Sequence, residues 1–289
     1  MKRVLFALIA LALALTASAG DAKIVFLAGP PSHGPGDHEH RAGCLLLKAC
    51  LDKVPGVSSE VYSNGWPQNP EAAFAGAATV VIYSDGGGGH PFLQDDRLKT
   101  VGALMKKGVG LVCLHYAVEP TKEAGEKEFL DWIGGCFETD WSVNPTWHPE
   151  FKPLPKHAIT RGVKAFSTTD EWYFHMRFRD GMKGVTPILS AVPPESTMDR
   201  SDGPHEGNPV VREAVKRGEP QIVAWACERP DGGRGFGFTG GHYHRNWGND
   251  DVRKLVLNAI LWTAKVKVPA TGVESKVTGE DLKRNLDPK

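Results

Sequence analysis

Residues 78–115 read ATVVIYSDGGGGHPFLQDDRLKTVGALMKKGVGLVCLH and contain the clearest fold signal in the chain. The two ends of this stretch, Ala78–Ser84 and Gly110–His115, are short and almost continuously apolar, as is typical of buried strands. Between them, Asp95–Lys107 has the pattern of an amphipathic helix that ends at Gly108. The apolar positions of this helix are Leu98, Val101, Leu104 and Met105. A strand, a crossover helix and a second strand predict a right-handed unit of parallel sheet.

The same alternation continues on both sides of this unit. Upstream, the apolar run Lys23–Ala28 is followed by a helical pattern over residues 42–54 and a strand pattern over Val57–Tyr62. Downstream, Gly235–Thr239 has a strand pattern and Asp250–Ala264 has the pattern of an amphipathic helix. Strands that are apolar on both faces need helices on both sides of the sheet. The sequence therefore predicts an α/β fold with a doubly wound, mostly parallel sheet.

The pattern between residues 137 and 230 is more polar and is interrupted by prolines. We predict that the strands of this segment extend the sheet in an antiparallel manner. The candidate strands are Trp147–Leu154, Glu171–Phe178, Pro187–Val192 and Gln221–Cys227. One domain is therefore expected over residues 23–264, followed by a loosely ordered polar tail over residues 265–289.

Composition excludes several classes of function. The 289 residues include 34 Lys+Arg and 34 Asp+Glu, and 41% of them are hydrophobic. That hydrophobic fraction is too high for a disordered chain, and a formal charge of zero gives no general attraction to nucleic acid or anionic lipid. The five cysteines include no Cys-x-x-Cys spacing. Cys113 and Cys227 lie in apolar strand patterns, which predicts buried thiols.

The first 19 residues have the pattern of a secretory signal peptide. Two basic residues precede an apolar run over residues 4–15, and Ala17–Ala19 supplies the small residues for cleavage after Ala19. The apolar run is shorter than the roughly 20 residues that a bilayer span needs. We therefore expect an exported protein, periplasmic or secreted, without a membrane span.

Histidines follow four of the predicted strands. Ligands bind at the carboxyl ends of the strands in open α/β sheets, so the side chains just after each strand are the first candidates for a site. Seven of the 11 histidines fall in these loops, namely His33, His38, His40, His90, His115, His242 and His244. The His-x-His spacing of residues 38 and 40 suits a shared ligand less well if a helix has already begun there. Convergence of the loops predicts a histidine-rich site.

Two kinds of chemistry fit these histidines. His33, His115 and His242 come from separate loops, as the ligands of a three-histidine metal site do. The metal would be a divalent ion such as zinc, iron or manganese. Without a metal, His115 and His242 would act as an acid/base pair, with Asp85 or Glu171 as the carboxylate.

Residues beside the histidines are candidates for substrate contact. Aromatic rings stack on the apolar faces of sugars, although partial burial in the core is the more common role of a single tryptophan. The candidates are His33, His90, Tyr116, Trp172, His244, Arg245 and Trp247. The balance of charges favours a neutral substrate over a polyanion.

Three common functional motifs are excluded. The glycines of Gly235-x-Gly-x-x-Gly240 match the dinucleotide-binding fingerprint in spacing, but they lie within a strand pattern. The run Gly86–Gly89 is not followed by the Gly-Lys-Ser/Thr of a phosphate-binding loop. No Gly-x-Ser-x-Gly elbow is present in the sequence.

Five separated motifs together resemble the trehalose-utilisation (ThuA-like) family. They are the His33 loop, Gly110–His115, His157–Gly162, Asp170–Tyr173 and Gly240–Trp247. The resemblance covers residues 23–264 and implies a flavodoxin-related fold of the class I glutamine amidotransferase type. In that fold the elbow after the fourth strand carries a cysteine nucleophile, whereas His115 stands there in this chain and His242 resembles its partner. Cys113 falls within the strand, so the resemblance implies that glutaminase activity is absent.

The family is linked to disaccharide utilisation, including the handling of 3-keto sugars. The resemblance thus implies an exported enzyme of carbohydrate catabolism, a hydrolase or lyase that acts on a glycoside or disaccharide, with or without a ring ketone. His115 and His242 would form its centre, with Asp85 and Glu171 as carboxylates. The alternative is a non-catalytic carbohydrate-binding or scaffold protein whose sugar affinity depends on tryptophans and not on histidines.

Overall fold

The computed structural model describes residues 21–289. The signal peptide expected over residues 1–19 lies outside the described residues and stays a prediction. Within residues 21–289, no helix is both long enough and apolar enough to cross a lipid bilayer.

Seven strands form the central sheet. They are β1 (Ala22–Ala28), β2 (Val57–Tyr62), β3 (Ala77–Tyr83), β4 (Gly110–Leu114), β5 (Val185–Ala191), β6 (Gln221–Glu228) and β7 (Arg234–Phe238). Their spatial order is β5-β6-β7-β4-β3-β1-β2. The strands from β7 to β2 run parallel, and β6 pairs antiparallel with both β7 and β5. The predicted mostly parallel sheet with an antiparallel extension is confirmed.

Helices cover both faces of this sheet. They are α1 (His40–Leu51), α2 (Pro70–Phe74), α3 (Arg97–Lys106), α4 (Glu126–Trp132), α5 (Pro209–Lys216), α6 (Asp250–Thr263) and α7 (Gly279–Leu282). Neighbouring residues of a strand pack in hydrophobic cores on opposite faces of the sheet. Phe26 packs in the core formed with α1 and α6, and Val25 packs in the core formed with α3 and α4. The strand order β2-β1-β3-β4 with helices on both sides confirms the doubly wound fold.

The segment between α4 and β5 differs from the sequence-based prediction. Trp147–Leu154 and Glu171–Phe178 do not join the seven-stranded sheet, and only two-residue ladders form there. The ladders pair Thr146–Trp147 with Asp170–Glu171, Glu150–Phe151 with Phe166–Ser167, and Gly135–Cys136 with Arg177–Phe178. Prolines at positions 149, 153 and 155 lack the N–H group that a longer ladder needs.

The polar segment over residues 265–289 packs against the domain, which corrects the expectation of a loosely ordered tail. Val268 and Val273 are buried in the core. Lys289 reaches the loop after β1, where its ammonium nitrogen lies 3.4 Å from the buried carboxylate of Glu39. Burial of a few apolar side chains and this ion pair hold a segment whose composition is mostly polar.

Candidate functional site

Loops after β1, β3, β4 and β7 meet at the carboxyl edge of the parallel strands. Together with one of the short ladders, they bring four side chains into a single group: His38, His115, Glu171 and His242. One ring nitrogen or carboxylate oxygen of each residue lies within 4.8 Å of the corresponding atoms of the other three. These four residues are called the histidine cluster below.

His115 occupies the elbow directly after β4. Its φ of 55° is a left-handed backbone conformation that few non-glycine residues adopt, and it turns the chain sharply into a 3-10 turn. The fully buried ring donates from Nδ1 to the carbonyl of Thr239 at 2.8 Å, which leaves Nε2 facing the cluster. Cys113 lies inside the strand, where burial raises the pKa of its thiol. The elbow therefore presents an imidazole and not a thiolate.

His38 enters the cluster from the loop after β1. Its backbone N–H donates to the carbonyl of His242, which ties two of the four loops together. Its ring donates from Nδ1 to Asp85 at 2.6 Å, and its Nε2 lies 3.0 Å from both His115 Nε2 and His242 Nδ1. Burial lowers the pKa of His38 to about 3, although the hydrogen bond with Asp85 opposes this. The ring is therefore neutral.

His242 and Glu171 complete the cluster. His242 Nδ1 lies 3.1 Å from Glu171 Oε2, and its Nε2 lies 3.7 Å from the carboxylate of Asp37. The neighbouring Asp170 is a buried carboxylate that accepts from Gly241 N at 2.8 Å and from Glu171 N at 2.9 Å. Burial acts to raise the pKa of Glu171, but its hydrogen bonds with two cluster histidines outweigh this and lower the pKa. The Glu171 carboxylate is therefore ionised.

Two ring nitrogens of the cluster, His38 Nε2 and His115 Nε2, face each other at close range. His38 and His115 each donate from Nδ1 to an oxygen, so the neutral forms of both rings direct an Nε2 lone pair into the 3.0 Å space between them. Lone pairs at this distance repel each other unless a cation lies nearby. Two nitrogens bound to one zinc ion at about 2.1 Å are roughly 3.4 Å apart at a tetrahedral angle. The cluster offers three imidazoles and the Glu171 carboxylate. In each imidazole the ring nitrogen that points away from the cluster lies near an oxygen atom, of Asp85, Thr239 or Asp37. This set of donors fits a divalent transition metal.

The predicted set of metal ligands is corrected at one position. His38, and not His33, joins His115 and His242 in the cluster, whereas His33 forms a second group with His38 and Asp85 whose spacing could also hold a metal ion. His33 lies beside the cluster, and its partly exposed ring stacks on that of His38 with 3.6 Å between the ring centroids. Because α1 begins only at His40, His38 remains in the loop and its ring turns towards the cluster.

Asp85 supports the cluster from outside it. Burial acts to raise the pKa of Asp85, but its hydrogen bonds with His38 and Ser32 outweigh this and lower the pKa to about 2. The ionised carboxylate accepts from His38 Nδ1 and so fixes the orientation of that ring. Carboxylates commonly orient metal-binding imidazoles in this way. The structure therefore gives Asp85 a positioning role.

Trp172 and Trp247 do not reach the surface, which corrects their predicted role as substrate contacts. Trp172 is 0% exposed, packs edge-to-face on Phe238 and donates its indole N–H to the carbonyl of Thr168. Trp247 is 1% exposed and packs against Tyr83. Both rings belong to the core on the α1 and α6 side of the sheet.

Three further predicted contacts lie outside the cluster. His90 is fully buried, and both of its ring nitrogens bond backbone groups. His244 is also buried. Arg245 is exposed, and its guanidinium stacks over the ring of Tyr243 at 4.0 Å. A position at the end of a strand does not by itself determine where a side chain points.

The histidine cluster opens into a cleft of about 210 Å³. Besides His38 and Glu171, the cleft is lined by His33, Tyr116, Asn144, Tyr173, His205 and Glu206. Of these, His33 and Tyr116 are predicted substrate contacts, and the hydroxyl of Tyr173 lies 3.2 Å from His115 Nε2. Asn144, His205 and Glu206 come from polar connections before and after β5. Sequence patterns miss them because these connections contain no motif.

Comparison with known proteins identifies similar chains. A ThuA-like protein from Bacteroides uniformis has a similar crystal structure, with 15% identity, a TM-score of 0.57 and coverage of 86% of this chain and 93% of that chain. A ThuA-like protein from Parabacteroides merdae is similar at 14% identity, with a TM-score of 0.55 and coverage of 90% and 94%. These likenesses concern the fold alone. No curated protein sequence matches the chain.

The family comparison covers most of the domain. The family model described as trehalose utilisation, ThuA, matches residues 54–263. The matched region includes three members of the histidine cluster, namely His115, Glu171 and His242. This agrees with the resemblance of the five sequence motifs, and the chain therefore belongs to the ThuA family, whose link to trehalose utilisation supports a carbohydrate-related role.

Proposed function

We propose that the protein is a metal-dependent enzyme of carbohydrate catabolism that cleaves a glycoside carrying a ketone on its ring. The observation that carries the proposal is the convergence of three imidazoles and the ionised Glu171, with His38 Nε2 and His115 Nε2 only 3.0 Å apart, at a cleft that a small ligand can enter. Membership of the ThuA family supports carbohydrate as the substrate class. The signal-peptide pattern of residues 1–19 supports export to the periplasm or the medium.

The ring ketone makes cleavage by elimination possible. In a glycoside oxidised at C3, the hydrogen on C2 is acidic because the adjacent carbonyl stabilises the resulting negative charge. Loss of that proton, formation of the C1–C2 double bond and departure of the C1 oxygen release the second sugar without a redox partner. Later addition of water to the double bond makes the net reaction a hydrolysis. A divalent ion in the cluster would stabilise the negative charge on the ketone oxygen.

In this proposal, His33 accepts the proton from carbon. It lines the cleft, and stacking on His38 restricts the orientation of its ring. Its Nδ1 lies 3.0 Å from the hydroxyl of Ser32, so Nε2 is available to a ligand. A positioned imidazole can remove such a proton near neutral pH, and general base catalysis contributes about 10²–10⁴-fold to the rate.

The test is turnover of a 3-keto-disaccharide by protein purified without a histidine tag. We expect cleavage that falls at least about 100-fold on metal removal by a chelator and returns with zinc, iron or manganese. The unoxidised disaccharide is the matched control, because it lacks the acidic C–H bond. Turnover that survives complete metal removal would contradict metal dependence, and no turnover of any keto-glycoside would contradict the enzymatic proposal.

A further inference from the structure

His205 lies where two cavities meet. The cleft over the histidine cluster and a neighbouring cavity of about 490 Å³ are both lined by Tyr116 and His205. The second cavity is also lined by Trp141 and by the carboxylate residues Glu138 and Asp140. An aromatic ring among polar groups offers both kinds of contact that a sugar makes. The two cavities therefore suit the two halves of a disaccharide, with His205 between them.

A buried carboxylate holds His205 at this junction. His205 Nε2 lies 2.8 Å from Glu119 Oε1, and the side chain of Glu119 is only 2% exposed. Phe137 stacks on the imidazole, with 5.1 Å between ring centroids and 24° between ring planes. Asn144 N donates to the carbonyl of His205 at 3.0 Å, which fixes the backbone as well. These contacts give the ring one orientation, with Nε2 engaged on Glu119.

The second ring nitrogen of His205 remains open to a ligand. Within residues 21–289, Nδ1 of His205 has no hydrogen-bond partner, and the side chain as a whole is 31% exposed. His90 provides a contrast, because it is fully buried and uses both ring nitrogens on the backbone. A histidine with a purely structural role has no need of an open nitrogen in a cleft.

The groups around His205 favour its protonated form. The hydrogen bond with Glu119 raises the pKa of the imidazole and outweighs the opposing effect of burial. The negative charges of Glu206 and Glu171 also raise the pKa of His205. Tyr116 is a further titratable residue near His205, and its ring packs edge-on against the imidazole. A larger fraction of His205 is therefore protonated at neutral pH than of an ordinary histidine.

We propose that His205 is the general acid that protonates the leaving oxygen as the glycosidic bond breaks. This assignment rests on the function proposed above. The electron pair of the C1–O bond goes to oxygen, and the proton on Nδ1 of His205 moves to that oxygen. The imidazole becomes neutral and stays bonded to Glu119. The ring that carries the ketone lies in the cleft over the histidine cluster, and the departing sugar lies in the cavity beside Trp141.

The test compares two keto-glucosides that differ only in the leaving group, one an alkyl alcohol and the other 4-nitrophenol. The alkyl oxygen needs a proton to depart, whereas nitrophenolate does not. His205→Gln, which retains a partner for Glu119, should lower kcat/KM about 10²–10⁴-fold for the alkyl glycoside and less than about tenfold for the nitrophenyl glycoside. His148→Gln is the matched control, because His148 is exposed and contacts Thr169. Equal losses on both substrates would overturn the assignment.

A second measurement separates this assignment from the proposed function. NMR spectra of the imidazole nitrogens during a pH titration give the pKa of His205, whose signal is identified by its loss in His205→Gln. We expect a pKa above the ordinary histidine value of about 6.5 and a shift towards that value in Glu119→Gln. A pKa at or below the ordinary value overturns the assignment whether or not the protein shows turnover. Absence of turnover contradicts the proposed function instead.

Discussion

Replacement of His38 by alanine is expected to abolish stoichiometric metal binding, with a loss of affinity for zinc or manganese of more than about 100-fold. Its Nε2 lies 3.0 Å from a ring nitrogen of both other cluster histidines, so the change removes one of four donors at the centre of the group. The change also removes the His38 Nδ1–H group that donates a hydrogen bond to Asp85. Metal content after dialysis, measured by mass spectrometry, and calorimetric titration check the result.

His33→Ala is the matched control for this change. The rings of His33 and His38 stack on each other, but only His38 belongs to the histidine cluster. We expect His33→Ala to retain the ion and to lose turnover of the keto-glycoside, since it lacks the proposed base. Full metal affinity in a folded His38→Ala variant would contradict the metal centre. Loss of the ion in His33→Ala would instead favour the group of His33, His38 and Asp85 as ligands.

Trp172→Ala is expected to lower the free energy of unfolding by about 3–5 kcal/mol, because it leaves a large void in the core. Trp172 is fully buried and contacts the rings of Phe151 and Phe238. The sugar affinity of the folded fraction should not change. Urea denaturation measures the stability, and calorimetry measures sugar binding. Trp172→Phe, which keeps an aromatic ring in the core, provides a second variant if the alanine variant does not fold.

Trp141→Ala is the comparison for Trp172→Ala. Trp141 is partly exposed, lines the 490 Å³ cavity and carries Arg177 over its ring at 4.0 Å. Loss of this contact should cost only about 1 kcal/mol of stability, whereas binding of a disaccharide should weaken. The reverse pattern, with sugar binding lost in Trp172→Ala and histidine variants without effect, would favour the alternative of a non-catalytic carbohydrate-binding protein.

The part of the site that local patterns predict is the part that directly follows parallel strands. Apolar runs separated by an amphipathic helix leave few alternatives to a doubly wound sheet. Asp85 and His115 follow neighbouring strands of that sheet, and His242 follows the next one, so the fold alone brings these residues to one edge. Their proximity needs no information from distant parts of the chain.

The other site residues depend on details that local patterns do not contain. His38 is a loop residue only because α1 starts two positions later, and helix ends are poorly defined by sequence. The burial of Trp172 results from contacts with β7, which is far away in the chain. Similarly, His205 belongs to the connection between β5 and β6, and only the tertiary structure brings Glu119 to it.

Glu39 makes the loop that carries His38 and the C-terminal segment into one cooperative unit. Its buried carboxylate accepts from Gly36 N at 3.0 Å and from Asp287 N at 2.8 Å, and the second contact spans 248 residues of sequence. Local unfolding of either segment breaks hydrogen bonds that hold the other, so both share a single opening equilibrium. The loop over the cleft is therefore not an independent lid, and its rigidity depends on a distant part of the chain.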